Sequence, residues 1–271
     1  MAGSGSRPRL VLIGWGAIAT RVAALLAERR APVDLVGVAV RDAATARKGL
    51  PEGARLIDDP AALAGLSPSL VVEAAGRESV APWARATLAL GLPFAVSSTS
   101  ALADDRLLAE LIGAARTDGG ALLIPPGALG GVDALAAAGR LGLDSVVHEI
   151  VKPPRAWRGT PAETLCDLDA LTGPTTFFEG SAREAADAFP QNANVALITA
   201  LAGIGPDRTR LRLVADPAAA LNGHHILAEG DFGRLDMRLE NRPLATNPKS
   251  SELTALNLVR LIENTAAPLR L

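Results

Sequence analysis

Tyrosine is absent from the 271 residues, and cysteine occurs once, as Cys166. The first absence excludes any mechanism built on a Tyr–Lys acid/base pair. The second excludes an internal disulfide framework and a multi-cysteine metal site, so no metal is expected, and a single thiol fits a reducing cytoplasm. No histidine lies near Cys166 in sequence to activate it, and it reads as structural. Histidine is almost as scarce. His148, His224 and His225 are the whole supply, which makes the list of proton-transfer candidates short. Apolar runs are brief, and none approaches the roughly 18 residues that a membrane span requires. Lys+Arg 27 against Asp+Glu 29 leaves a net charge of −2 and no electrostatic footprint for nucleic acid or anionic membrane. The opening "MAGSGSRPR" lacks a long apolar segment and a cleavage site, and reads as a frayed leader rather than a signal peptide.

What is present begins with "RPRLVLIGWGAIATRVAALLAERR". An apolar β-type run, Leu10 to Ile13, turns through Gly14-Trp15-Gly16-Ala17-Ile18-Ala19 into an Ala/Leu-rich stretch of helical period. This is G-x-G-x-x-A between a strand and a helix, the arrangement that binds a dinucleotide. The first glycine makes the tight turn, the second lets the backbone approach a pyrophosphate, and the small third residue lets helix pack on strand. Gly14, Gly16, Ala17 and Ile18 are therefore assigned to a cofactor. Strands are predicted at 33–40, 69–76, 93–98 and 120–127, with helices between them such as "PWARATLALG" and "DRLLAELIGAARTDGG". Alternating strands and helices predict an α/β fold, a Rossmann doubly wound parallel sheet with ligands at the strands' C-terminal ends. Glu73-Ala74-Ala75-Gly76 and Ser97-Ser98-Thr99-Ser100 fall at such ends. Ala75, Gly76 and Ser97 are assigned to the cofactor and Ser98 to the substrate. The second strand ends in Val40-Arg41-Asp42 rather than in a carboxylate. Arg41 suits a ribose 2′-phosphate, with Asp42 nearby, so either NAD or NADP fits.

After residue 127 the pattern changes. Gly127 to Gly131 form a junction, followed by alternating segments at 144–152, 175–181, 208–216, 224–230 and 233–241, the last two a hairpin over Asp231-Phe232. Strands with one polar face predict a second α+β domain carrying a mostly antiparallel sheet. A helix starts near Ala182, Phe189-Pro190 interrupts it, and another runs from about Asn192 to Gly203. The division expected is a dinucleotide-binding domain over 1–127 and a substrate domain over 128–246. A C-terminal helix, 247–271, packs back on the first domain. The active site then lies in the cleft between the two domains, and the exposed sheet predicts a homodimer.

The motifs "IGWGAIA", "PPGALGGVDAL", "FPQNANVAL", "VADP", "NGHHI" and "GRLDMRLENRPLATNPKSS" resemble those of the L-aspartate dehydrogenases over almost the whole chain. The resemblance implies interconversion of L-aspartate with oxaloacetate and ammonia through iminosuccinate, using NAD or NADP, in a cytoplasmic enzyme that feeds pyridine nucleotide biosynthesis. It puts the catalytic histidine on His224, a nicotinamide contact on Ala128 and a second cofactor contact on Asn194. His225 stands where the family commonly has an acid.

Oxidative deamination needs a group to take protons and groups to hold carboxylates. A neutral imidazole suits the first task, toward either the substrate ammonium or the attacking water. By strand alternation His225 points away from His224. His148, inside "SVVHEIVK", reads as a sheet-face residue. "NPKSSEL" offers Lys249, Ser250 and Ser251 at a predicted helix N-terminus for one substrate carboxylate. Lys152 ends a strand and is a weaker candidate, and Asn192 reads as a cap. Three rivals share the layout: a homoserine dehydrogenase, a dihydrodipicolinate reductase, and a non-catalytic NAD(P)-binding sensor.

Overall fold

The computed structural model describes residues 7–45, 48–190 and 193–270. They divide into two compact units, one formed by those up to residue 125 together with 255–270, the other by those between 126 and 254. Asn192, read as a cap, lies outside the described residues.

In the first unit the chain runs β1 (Arg9–Ile13), α1 (Ala17–Glu28), β2 (Asp34–Ala39), β3 (Arg55–Ile57), α2 (Leu63–Leu66), β4 (Leu70–Glu73), α3 (Arg77–Ala89), β5 (Pro93–Val96), α4 (Asp105–Asp118) and β6 (Ala121–Leu123). The strands pair in parallel in the order β3-β2-β1-β4-β5-β6. Both faces of the sheet are covered, which is why β1 and β4 are continuous apolar runs rather than alternating ones. Leu10, Leu12, Leu70, Val72 and Ala95 form one face of the core, met by Val22, Leu25 and Leu26 of α1. β3 went unpredicted because three residues carry too little pattern. The third helix begins at Arg77, not at Pro82 as predicted; Pro82 sits inside it.

The second unit runs α5 (Val132–Ala138), β7 (Ser145–Lys152), α6 (Ala162–Leu165), β8 (Thr175–Ser181), α7 (Ala182–Ala188), α8 (Asn194–Ala202), β9 (Arg210–Ala215), β10 (Asn222–Gly230), β11 (Gly233–Asn241), β12 (Pro243–Leu244) and β13 (Asn247–Ser251). Its sheet has the order β11-β10-β7-β9-β8, antiparallel except for β7 beside β9. Alternation along β7 turns Val146, His148, Ile150 and Lys152 inward, and along β10 it turns Asn222, His224, Ile226 and Ala228 inward. Ile150, Leu211 and Leu213 of this face meet Ala185 and Phe189 near α7 and Ala196 and Ala200 of α8.

The expectation for 247–251 is corrected. These residues form β13, paired antiparallel with β12 through a bulge, and the last helix, α9 (Glu252–Asn264), starts only after them. Pro and Ser before a helical pattern imitate a cap, but pairing with Pro243–Leu244 holds the segment extended. From Ala255 onward α9 belongs to the first unit, where Ala255, Leu258, Val259 and Ile262 complete the core against β1 and α1, and Arg29 pairs with Glu263 at 2.7 Å.

Candidate active site

Strand order in the first unit reverses between β1 and β4, the switch point where open α/β sheets bind ligands. Gly14 stands there with φ +95°. A Cβ at Gly14 would lie 2.8 Å from the Cα of Ala75 and 2.9 Å from the Ala74 carbonyl, so only glycine lets the two strand ends approach. A Cβ at Gly16 would meet nothing within 4 Å, and no side chain caps α1 there. The backbone N–H groups at the start of α1 are thus open to an anion, which fits a pyrophosphate. Ala17 and Ile18 begin that helix, half-buried.

The loops after β4 and β5 are joined by a residue that sequence reasoning placed at the site without giving it a role. Glu73 is fully buried. Its Oε1 accepts from the backbone N–H of Ala75 and of Gly76, both at 2.8 Å, and from the Ser98 hydroxyl at 2.8 Å, while the Ser79 hydroxyl lies 3.1 Å from it and 2.7 Å from the Gly76 carbonyl. Its Oε2 accepts the Ser98 N–H at 2.9 Å, and its backbone carbonyl accepts the Ser97 N–H at 3.1 Å. Ser98, expected at the substrate, thus has its hydroxyl proton committed to Glu73. Arg41 is exposed just past β2. The Asp42 carboxylate folds onto its own turn, accepting from the Ala44 N–H at 2.9 Å and from the Thr45 hydroxyl.

In the second unit, β10 holds His224 with 4% of its surface exposed. His225, next along the strand, faces the other way, with Nε2 2.9 Å from Asp236 of β11; the alternation predicted this, and the bond holds the Asp236 carboxyl below its usual range. His148 is more than a sheet-face residue. The register sets His224 opposite Ile150 and Ile226 opposite His148, so the two imidazoles are diagonal neighbours on one face. Nε2 of His148 lies 3.2 Å from Nδ1 of His224, and Nδ1 of His148 lies 3.0 Å from the Thr199 hydroxyl of α8. Burial pushes His148 down to about 3. Burial, with His148 and Lys152 adding to it, holds His224 well below the usual imidazole value.

Lys152 is 5% exposed at the end of β7. Its ammonium lies 5.3 Å from the Trp157 ring centroid, an attractive cation–π arrangement, and donates to the Lys249 carbonyl at 3.3 Å. Burial, then the Lys249 charge, lowers it to about 8. Lys249 and Ser250 are half-buried on β13, where Asn247 accepts the Lys249 N–H at 3.2 Å and donates to Ser250 Oγ at 3.2 Å. The buried Ser251 hydroxyl accepts from Asn222 at 3.3 Å. Ala128 is buried, and its carbonyl accepts from Asn241 at 2.8 Å, tying the glycine-rich junction to the end of β11. Asn194 opens α8, half-buried. Burial and Asp167 push the Cys166 thiol up, in keeping with its structural reading.

The family described as "Aspartate dehydrogenase, C-terminal" matches residues 133–265, and "Homoserine dehydrogenase, NAD binding domain" matches residues 14–125. An L-aspartate dehydrogenase of Brucella anthropi is 63% identical, covering 95% of this chain and 96% of its own length. One from Ruegeria pomeroyi is 45% identical over 98% of this chain and 95% of its own. The crystal structure of aspartate dehydrogenase from Thermotoga maritima superposes with a TM-score of 0.78 at 26% identity, covering 98% and 99% of the two chains. The helices contain no segment long and apolar enough to cross a membrane among the described residues. With a nucleotide platform in one unit, a buried imidazole in the other and likeness of this extent, the chain belongs to the L-aspartate dehydrogenase family, as an enzyme that uses NAD(P).

Proposed function

We propose that this enzyme oxidatively deaminates L-aspartate to oxaloacetate and ammonia through iminosuccinate, reversibly, with His224 as its general base. The observation that carries this reading is His224 itself, nearly buried and neutral, with a second imidazole on one ring nitrogen and the Lys152 cation beside it. A nicotinamide cofactor held at the turn over residues 14–18 and the loop at residues 75–76 would supply the acceptor for the hydride on the substrate Cα. Everything else falls to the chain. The substrate ammonium must lose a proton before its nitrogen lone pair can form C=N, and water attacking that imine must lose one too. A single base serves both in turn, releasing the first proton to solvent before water attacks and returning the second to the departing nitrogen, which leaves as ammonia. The low basicity of His224 keeps it unprotonated at neutral pH, and an incoming dicarboxylate raises its proton affinity when the proton is to be taken.

Lys152, Lys249, Ser250 and Ser251 supply charge and donors for the substrate carboxylates, and Ser98 is assigned to the substrate as well. Gly14, Gly16, Ala17, Ile18, Ala75, Gly76 and Ser97 hold the nucleotide, and Ala128 and Asn194 orient its nicotinamide end. Arg41 accepts a 2′-phosphate, which favours use of NADP alongside NAD. The reading extends to a cytoplasmic homodimer whose imine product supplies pyridine nucleotide biosynthesis. Family likeness over residues 133–265 disfavours the homoserine dehydrogenase and dihydrodipicolinate reductase rivals.

The test is turnover of L-aspartate with NAD+ and NADP+, and of oxaloacetate plus ammonia with the reduced cofactors, for wild type and His224→Ala. The expected result is aspartate activity that falls by about 100-fold or more in the variant, with cofactor affinity retained. Absence of activity with either cofactor rejects the function, and undiminished turnover in His224→Ala rejects the base.

A further inference from the structure

We propose that Thr199 and His148 form a hydrogen-bonded relay that locks His224 in the tautomer protonated on Nδ1, so that Nε2 carries the lone pair used in catalysis. The inference deepens the proposed function and rests on His224 being its base.

Thr199 has one hydroxyl proton. Its Oγ1 is 3.1 Å from the Val195 carbonyl one turn earlier in α8, and 3.0 Å from Nδ1 of His148. A carbonyl can only accept, so the hydroxyl proton goes to Val195. The His148 contact is then a hydrogen bond only if His148 Nδ1 donates. His148 is neutral, since burial drives its proton affinity down, and a neutral imidazole carries one N–H. Its Nε2 must therefore accept. The 3.2 Å contact to His224 Nδ1 is then a hydrogen bond only if His224 donates through Nδ1. One proton position follows from the next, and the chain ends at His224 Nε2 as an acceptor. The opposite assignment turns Thr199 toward His148 and forfeits the bond to Val195, so only the first satisfies all three contacts.

The arrangement differs in one respect from an imidazole oriented by a carboxylate. A carboxylate also stabilises the imidazolium that forms, whereas neutral His148 fixes orientation and tautomer with far less gain in basicity. His148 and Thr199 are therefore positioning residues. They hold the imidazole ready without charging it, which fits a base beside a lysine.

Nitrogen-15 spectra of histidine-labelled protein test this directly, because three histidines give three ring systems. Wild type is expected to show His148 and His224 both protonated on Nδ1 with pyridine-type Nε2. His224 protonated on Nε2 in the resting enzyme overturns the relay. Thr199→Val removes the acceptor and keeps the side-chain volume. A buried N–H without a partner is the costlier defect, so His148 should move its proton to Nε2 and force His224 to do the same. The expected consequence is a kcat lower by about 10- to 100-fold with KM within about two-fold. Thr199→Ser should restore both the wild-type spectrum and kcat to within about three-fold. A Thr199→Val protein with wild-type tautomers and kcat overturns the proposal. His148→Gln is the second probe, since the amide oxygen can still accept from His224 Nδ1. It should keep the His224 tautomer while His148→Leu loses it, and identical His224 spectra in the two variants overturn the relay. The spectra need no turnover, so a failed relay is distinguishable from a failed base assignment, which the His224→Ala kinetics report.

Discussion

Glu73 and Ser98, 25 residues apart, meet twice: the carboxyl accepts the serine's backbone N–H at 2.9 Å and its hydroxyl at 2.8 Å. With Ala75 and Gly76 held by the same group, one buried side chain fixes both loops beside the first glycine turn, and it sits at the N-terminus of α3, where negative charge is favoured. Glu73→Gln keeps the shape but turns an N–H₂ toward donors. Lost charge-assisted bonds and one unpaired donor should destabilise the protein by about 2–4 kcal/mol. NAD(P) affinity should weaken as well. Thermal unfolding and a cofactor titration followed by tryptophan fluorescence check both, and an unchanged dissociation constant would show that the loops do not need the clamp.

Arg41 governs the choice of nucleotide if it contacts the 2′-phosphate. Asp42, the nearby acid able to bind a ribose hydroxyl, is engaged with Ala44 and Thr45 in its own turn. Arg41→Ala should weaken NADP binding by about 10-fold or more, the scale of one charge-assisted contact, and leave NAD within about two-fold. Equal losses for the two cofactors would assign the residue a general role in folding the loop.

Lys152 should give the reaction a pH limit. Its ammonium is cationic below about 8 and neutral above, and only the cation attracts a dicarboxylate. In the free enzyme kcat/KM for L-aspartate should fall as pH rises through about 8, with kcat less affected because bound substrate raises the lysine's proton affinity. Lys152→Met should raise KM by roughly 10- to 150-fold and remove that descending limb. A limb that persists in Lys152→Met belongs to another group.

Acid should loosen the fold before carboxylates titrate. His148 binds its proton near 3 when folded and near 6.5 when unfolded, so the unfolded chain holds more protons between those values. Stability is full above about pH 6.5 and falls on acidification, by about 1.4 kcal/mol per pH unit for each such imidazole. His224 shifts the same way. The lowered carboxyls, such as Glu184 and Asp207, contribute only further down, below their usual 4.5 and 3.8. Urea midpoints at pH 7, 6 and 5 should therefore decline for wild type and flatten in His148→Gln. A midpoint constant down to pH 5 contradicts the buried, neutral pair.

Local pattern carried much of this architecture. The parallel strands announced themselves as apolar runs, and the hairpin at 224–241 showed its alternation and its turn. Alternation also separated His224 from His225 correctly. What pattern could not supply was pairing. His148 and His224 are 76 residues apart, and nothing within "SVVHEIVK" says which strand lies beside it. The role of Glu73 was hidden for the same reason, since its donors come from two loops. At 247–251 local signals pointed the wrong way: Pro248 and two serines read as a helix start, while two residues of partner strand made the segment β. The burial of Lys152 was not legible in "VKPP" either, since a strand end shows no sign of what packs around it.

The helix at 252–264 has a consequence for synthesis. Residues 255, 258, 259 and 262 complete a hydrophobic core whose other members lie before residue 96. While a ribosome adds the intervening 129 residues of the second unit, that core stays open on one side. At ~5–20 residues per second, the interval is roughly 6–26 s. During it, the apolar faces of β1 and α1 that await the helix are exposed to whatever else the cell offers. Until that segment is translated, the open side of the core is apolar surface of the kind that chaperones bind.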